Sequence, residues 1–507
     1  MSVLGLDVGS TAVKAAAYDE AGCELARAQE TVPPQRAQPG HWQVDGDEVW
    51  RAAVRVIRQV TSASPTRRDP PRALAVSASG RESFPARADG SATGPCLRTA
   101  DARSPRVLAT ELLPWPPEQW LRACGHVPDH MDPASRLLWW RETAPDTLAG
   151  ARWFLGWHEL ASLKLIGRPV IDPALAAGFF LFDLESRCWS GERLDALGLD
   201  GRLLPEIVPW GVAIENVHAE PAAELGLPPD CAFVVGSWDA CCAAVGSGAV
   251  DAGVALLSSG TWESVVVPAD RPALDGAATA GLAITPHPST PGIGVWSKSP
   301  NGTSALDWAL GFVGMRLEDL EARLHEAGTQ PADVLVVPHL SGAGPPWPAP
   351  EARQGAVLGL TLATTPLDLV RATMEGVTCD LRLAIAAMRD AATPVHLCRA
   401  AGGGSKSGWW MQLKADLLGV PVEVPEHSEP GTLGAALLAG VGIGTYGSLA
   451  EAAQRVTIAR RYQPDAERAA AFTDRFEAFR AAVASMPHLH PPDGSSTMTE
   501  DRDAARW

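Results

Sequence analysis

Five short stretches carry residue types whose spacing could do chemistry. Near the N-terminus, Asp7-Val8-Gly9-Ser10-Thr11 is followed by Lys14. Gly9 permits close backbone approach, and the turn amides and the hydroxyls of Ser10 and Thr11 can donate to phosphate oxygens. Asp7 alone would repel a phosphate, but not with a Mg²⁺ ion between carboxylate and phosphates. An edge hairpin with Asp7 capping its turn is the plainer reading of the same residues. Gly236-Ser237-Trp238-Asp239-Ala240 raises a carboxylate between an apolar strand and a small-residue helix. That is a usual place for a catalytic acid or base in α/β proteins, although a helix N-cap at Asp239 would also account for it. Arg81 and Glu82 follow another apolar strand, where Arg donates to substrate hydroxyls and Glu accepts from them. A surface ion pair is the alternative. Ser258-Ser259-Gly260-Thr261 is a second hydroxyl–glycine turn, and Gly402-Gly403-Gly404-Ser405 places three glycines between a strand and a helix. Three glycines let a flat base or a phosphate come against the backbone.

The elements that must position these residues are legible as an α/β chain. Residues 3–6 and 13–18 read as a hairpin around the first turn. Apolar strands are expected at 72–77, 179–182, 231–235, 254–257, 263–267, 334–338 and 396–400. Helices are expected at 47–61, 153–166, 189–197, 241–248, 366–388, 409–418, 433–438 and 465–486, and one begins near 307. The unit at 254–267 repeats the design of the first hairpin. This predicts two similar domains facing a shared cleft. The division is residues 1–248, carrying substrate and catalysis, and 249–460, carrying nucleotide. A terminal helix at 461–486 and a disordered tail at 487–507 follow.

Composition narrows the function. The chain has 507 residues, 46% hydrophobic and 20% charged, with a net charge of −17. Such an acidic balance argues against nucleic acid or an anionic membrane as partner. An anionic ligand would be held by backbone amides and metal. The nine cysteines form no CxxC pair, which reads as free thiols in a reducing, cytoplasmic setting. No stretch has the length of a membrane span, and no basic and apolar leader opens the sequence. Asn301-Gly302-Thr303 matches a glycosylation sequon by chance in this setting. Gly442-Ile443-Gly444-Thr445-Tyr446-Gly447 fits GxGxxG but follows a helix, so it is not a dinucleotide fingerprint. No GxxxxGK[ST] occurs. His488 and His490 are not expected to bind metal.

Together the motifs resemble FGGY-family carbohydrate kinases of the actin/sugar-kinase/Hsp70 superfamily, over residues 3–447. The matching segments include LDVGSTAVKAAAYD at 6–19, PGHWQVDGDEVW at 39–50, SGRES at 79–83 and DARS at 101–104. SRLLWW at 135–140, VVGSWDACCAAVGSGAV at 234–250 and LLSSGTWE at 256–263 continue the match. GAVLGLTLATTPLDLVRATMEG at 355–376, GGGSKSGWWMQLKADLLGVPV at 402–422 and EPGTLGAALLAG at 429–440 complete it. The resemblance implies two ribonuclease-H-like (actin-like) domains with ATP and sugar in the interdomain cleft. It implies transfer of the γ-phosphoryl of ATP to a hydroxyl of a sugar or polyol. Carried onto this chain, Asp7 would hold Mg²⁺, and Ser10, Thr11 and Lys14 would face phosphates. Asp239 would be the general base. Gly260 and Thr261 would form the second phosphate loop, Gly302 would lie near the phosphates, and Gly403, Gly404 and Ser405 would border the adenosine. Arg81-Glu82 resembles the pair of glycerol kinases, but Ala240 and Met131 depart from that pattern. LSSGTWE is more similar to fuculokinases than to xylulokinases, leaving a pentulose, deoxyhexulose or polyol as acceptor. An ATP-dependent protein switch and a sugar sensor are the rival readings. A homodimer is an open expectation.

Overall fold

Ser2–Val8 and Ala12–Tyr18 pair antiparallel, with Asp7 opposite Lys14, so the expected hairpin forms and its first strand runs through Asp7 to Val8. The structure, a computed structural model, describes residues 1–99, 101–104, 115–128, 131–269, 273–289, 292–344, 346 and 354–486. The tail at 487–507 and part of the loop at 340–350 lie outside the described residues.

Two sheets share one plan. The first runs Glu24–Thr31, Ala12–Tyr18, Ser2–Val8, Pro71–Ala78, Ala232–Trp238, Ala213–Asn216. Its first three strands are antiparallel, the next two join in parallel, and the last returns antiparallel. The second runs Ile293–Ser299, Glu263–Ala269, Val254–Ser259, Leu397–Ala401, Val422–Pro425, Ile458–Tyr462 in the same sequence of directions, with Ala283–Pro286 added at one edge. The repeat inferred from the two hydroxyl–glycine turns is thus a repeat of topology. The parallel strands are almost wholly buried, as expected where helices cover both faces.

Helix Gly46–Ser62 packs Val49, Ala52, Ala53, Val56, Ile57 and Val60 into the first core, and Asp45 caps its start. Helix Pro366–Asp390 starts with a Thr365/Asp368 capping box and anchors the second core. A third cluster, around Leu137, Leu138, Trp140 and Phe179–Phe182, sits in the long insertion between Pro71–Ala78 and Ala232–Trp238.

Two helices of small residues bind the halves together. Asp239–Gly246 and Pro430–Gly442 cross so closely that a Cβ on Gly246 would overlap the Pro430 carbonyl. One on Gly434 would overlap the Cys242 carbonyl. Helix Pro430–Gly442, from the second half, buries Leu433, Ala436 and Leu437 against Val3, Ala16 and Ala75 of the first sheet. Helix Asp239–Gly246, from the first half, puts Cys241 and Ala244 against Leu256 and Val266 of the second.

Three expectations are corrected. Residues 153–166 are not one helix: Trp153–Leu155 is a strand paired with Phe84–Ala86, and the helix is Trp157–Ile166. Gly156 separates them, its N–H donating to Glu159 Oε2 at 2.6 Å. Residues 179–182 are a buried turn, not a strand, with Phe180 at φ 60. The strand expected to stop at 235 runs on through Trp238. Asn301 of the sequon is 2% exposed. Its amide donates to the Gly342 carbonyl and accepts from Leu340 N–H and Ser341 N–H, which rules out a glycan there.

Candidate active site

The strand that delivers Asp239 is irregular where it must be. Ala232–Trp238 slips register against Pro71–Ala78 between Val234 and Ser237. Gly236 sits at the slip, where a Cβ would overlap the Val76 backbone. The groups freed by the slip are recaptured from behind. Gly236 N–H donates to His158 Nε2 at 3.2 Å, and Ser237 Oγ donates to Asp172 Oδ2 at 2.7 Å. His158 Nδ1 in turn lies 2.9 Å from the Val170 carbonyl, and burial pulls its pKa down to about 4, so the ring is neutral and accepts at Nε2. Asp172 also caps helix Pro173–Ala177. Asp239 then opens its helix, half-buried, with Oδ1 accepting from Ala240 N–H at 2.7 Å. Burial first, then the charge of Asp7, pushes its carboxyl up to about 8.

Asp7 stands beside it. Its Oδ1 accepts from Ser77 Oγ at 2.6 Å, and burial raises its pKa against that bond and the Lys14 charge. The start of helix Pro430–Gly442 abuts it: a Cβ on Gly431 would lie 3.2 Å from the Asp7 carboxyl. Gly5 makes this approach possible, because a Cβ there would overlap the Thr432 carbonyl. Lys14 Nζ donates to Glu429 Oε2 at 2.6 Å, tying hairpin to helix. Ser10 and Thr11 are exposed at the tip of the turn.

The second turn is built as one unit with its neighbours. Gly302 N–H donates to the Thr261 carbonyl at 3.0 Å and Thr303 N–H to the Gly260 carbonyl at 2.7 Å, so helix Thr303–Val313 starts on the turn. Beneath it, Lys414 Nζ donates to Ser259 Oγ at 2.5 Å and Glu263 Oε1 at 2.7 Å, all three buried. The glycine loop rests on the same serine. Cβ atoms on Gly402 and Gly404 would lie 2.7 Å from Ser259 O and 3.0 Å from Ser259 Cβ. Gly404 is therefore buried under the loop. Gly403, whose Cβ would meet nothing within 4 Å, faces open space, and Ser405 Oγ donates to the Gly402 carbonyl at 2.7 Å.

Arg81 and Glu82 do not pair with each other. Arg81 forms an ion pair with Asp132, whose side chain is fully buried. Glu82 accepts from Ser79 Oγ, and from Thr99 Oγ1 at 3.1 Å, with Arg98 at 3.9 Å. Buried Arg136 braces the turn from below, donating to the carbonyls of Arg81, Leu97 and Arg98. Both Arg81 and Glu82 are close enough to act on the Asp239 charge. Trp238, whose indole would lie 3.1 Å from a Cβ on Gly80, stacks on Trp296 of the second sheet, with centroids 4.7 Å apart.

A cavity of about 1000 Å³ is lined from both halves. Asp7, Lys14 and Asp239 line it from the first, and Gly402, Gly403 and Ser405 from the second. Arg81, Glu82, Ser10, Thr11, Gly260, Thr261, Gly302 and Gly404 are outside its lining. Among the described residues no cluster of three His, Cys, Asp or Glu could hold a metal by itself. Mg²⁺ does not require such a cluster, because it is usually held by one or two carboxylates with phosphate and water completing its shell. Asp7 is the carboxylate that would hold it. Sequence reasoning missed Asp132, Glu429, Ser77, His158, Asp172 and Lys414, whose partners are distant in the chain.

Behind the site, burial pushes Glu159 up to about 8. A carboxyl whose folded pKa lies above its ordinary value costs stability as pH rises between the two values, here from about 4.5 to 8. Glu159→Gln is expected to raise the melting temperature of the ligand-free protein more at about pH 8 than at about pH 5. Scanning fluorimetry at both values checks it. A shift independent of pH would contradict it.

Comparison with known proteins gives the family and the fold. Residues 2–246 match the N-terminal domain of the FGGY family of carbohydrate kinases, and residues 255–443 match its C-terminal domain. A glycerol kinase from Bordetella parapertussis is 28% identical over 91% of this chain and 92% of its own length. An L-xylulose/3-keto-L-gulonate kinase from Escherichia coli is 25% identical over 96% and 97%. The crystal structure of a xyloylose kinase from Brucella ovis, 25% identical, superposes with a TM-score of 0.88 over 97% of this chain and 100% of that one. No helix among the described residues is long and apolar enough to cross a membrane. With both domains matched in order across a two-sheet cleft, the chain belongs to the FGGY family of carbohydrate kinases.

Proposed function

We propose that this enzyme transfers the γ-phosphoryl group of ATP to a hydroxyl of a pentulose, deoxyhexulose or related polyol, with Asp239 as general base. The observation that carries the reading is the Asp239 carboxyl beside Asp7 on one wall of the cavity, with the open face of Gly403 on the other. The xylulose names of relatives favour the xylulokinase-like over the fuculokinase-like side of the resemblance. Residues 1–248 and 249–460 remain our division of labour, bridged by the two crossing helices. Free cysteines throughout the described chain are in keeping with a cytoplasmic enzyme. A homodimer is the assembly we carry forward, to be read by light scattering.

Phosphoryl transfer needs positioning and charge neutralisation more than covalent chemistry. Asp239 takes the proton of the attacking hydroxyl as the oxygen meets the γ-phosphorus. Its raised pKa makes it a stronger base once ionised and a stable acid afterwards. Asp7 would hold Mg²⁺, which when bound neutralises charge on the transferring phosphates. Lys14, exchanging from Glu429, and the amides and hydroxyls of Ser10, Thr11, Gly260 and Thr261 would meet phosphate oxygens, with Gly302 fixing the second turn. Gly403 and Ser405 would border the adenosine, with Gly404 supporting them. Arg81 and Glu82 orient the acceptor. Closure of the halves about the crossing helices would exclude water. ADP release measured with pentuloses, deoxyhexuloses and polyols tests the reading, and no acceptor-dependent ADP from any of them would refute it.

A side chain on Gly403 would enter the cavity without touching the fold. Gly403→Val is expected to weaken ATP binding by about tenfold or more, with melting temperature and acceptor KM kept. Calorimetric titration with unchanged ATP affinity would remove Gly403 from the nucleotide site.

A further inference from the structure

The acceptor side of the cleft carries a cation that a sugar carboxylate would seek, Arg81, and the fold has already answered it. Arg81 is mostly buried and ion-paired to Asp132, which sits fully buried at the start of helix Pro133–Thr143. The Arg81 charge is felt at both Asp239 and His126, so it borders the place where the reacting hydroxyl must lie. Among the described residues, other cations nearby have contacts of their own. Arg98 donates to the Val32 carbonyl and faces Glu82, and Arg136 serves backbone carbonyls. Lys298 lies over the Trp262 ring at 5.6 Å, on the second turn. His126 pairs with Thr285 at 2.9 Å, and burial, then Arg81 and Lys298, holds its ring neutral. Trp238, its ring 6.4 Å from that of His126, stacks on Trp296. A carboxylate placed against Arg81 would also meet Asp132, Glu82 and Asp239, with the Arg81 charge already offset by Asp132, and a buried anion without a compensating charge is strongly disfavoured.

Resting on the kinase reading above, we propose that Asp132 is a specificity-determining residue: by neutralising Arg81 it restricts the acceptor to uncharged sugars and polyols and excludes sugar acids. It is the repulsive element that discrimination requires. FGGY relatives carry names of both acceptor kinds, L-xylulose and 3-keto-L-gulonate among them, so the choice is one this fold must make.

The test compares kcat/KM for uncharged ketoses and polyols with that for aldonates and keto-aldonates of matched length. It uses wild type, Asp132→Asn, and Asp132→Asn with Arg81→Gln. Asn keeps the size of Asp and also starts helices well, so the fold should survive. Wild type is expected to favour the uncharged panel by about tenfold or more. Asp132→Asn should move that ratio about tenfold or more toward the acids, and Arg81→Gln in the same chain should move it back. A wild type that prefers acids, an unmoved ratio in Asp132→Asn, or a shift that survives loss of Arg81 would each overturn the assignment while leaving the kinase reading intact. If neither panel supports ADP formation that Asp239→Asn abolishes, the kinase reading falls, and this inference falls with it.

Discussion

Replacing Asp239 by Asn is expected to lower turnover by about 10²–10⁴-fold, the usual worth of general-base catalysis, in a protein that still folds. The amide retains size and an oxygen that accepts from Ala240 N–H, as Asp239 Oδ1 does at 2.7 Å. It cannot accept the proton of the attacking hydroxyl. The carboxyl it replaces is held up at about 8 by burial and by Asp7, so its ionised form is disfavoured in the folded protein. By linkage, a group raised in this way costs stability as pH climbs through its ordinary value toward 8. The variant should therefore melt at the same temperature as wild type or higher near neutral pH. Mg-ATP affinity should persist, since Asp7 and the two turns remain. Steady-state turnover beside a thermal melt and an ATP titration reads all three quantities. Turnover within a fewfold of wild type would reduce Asp239 to a helix-starting residue.

The largest expected loss of stability comes from Lys414. Its ammonium is fully buried, bonded to Ser259 and Glu263, and lies 4.7 Å from the Trp410 ring centroid. Lys414→Met keeps the apolar stem but abandons the Glu263 carboxylate in a dry core. Leaving a buried charge without its partner costs roughly 3–5 kcal/mol. Ser259 carries both the second phosphate turn and the glycine loop, so ATP binding should weaken with it. Replacing both members, Lys414→Met with Glu263→Leu, removes the stranded charge and should recover most of the melting temperature. ATP affinity should stay low in the double variant, because Ser259 has still lost its anchor. Denaturant titration and calorimetry of both variants check this. A single variant as stable as wild type would show that the pair contributes nothing.

How much of this was legible in the sequence depends on how far apart the partners lie. The first hairpin was readable because strand, turn and strand are local. Asp239 was readable because an apolar strand, a glycine and a small-residue helix frame it within one stretch. The strand end was misplaced at 235 because Gly236 reads as a break, whereas its real purpose is to clear the Val76 backbone across a register slip. Residues 179–182 read as a strand from their apolar run alone, and burial in a turn satisfies the same pattern. The glycine loop was legible as a unit, but not that Gly403 faces the cavity while Gly404 is packed on Ser259. Arg81 and Glu82 are adjacent in sequence and read as hydroxyl-binding residues, with a mutual surface pair as the alternative. Their true partners, Asp132 on one side and Ser79, Thr99 and Arg98 on the other, are set by tertiary packing. Lys14 and Glu429 are 415 residues apart, a contact that no local pattern could announce.

The central claim is that the γ-phosphoryl group passes to a sugar or polyol hydroxyl and not to water. Mass spectrometry of the acceptor after incubation with enzyme, ATP and Mg²⁺ tests it most directly. The predicted result is an acceptor heavier by one phosphoryl group, formed one-for-one with ADP and lost in Asp239→Asn. ADP and free phosphate accumulating beside an unchanged acceptor would contradict it.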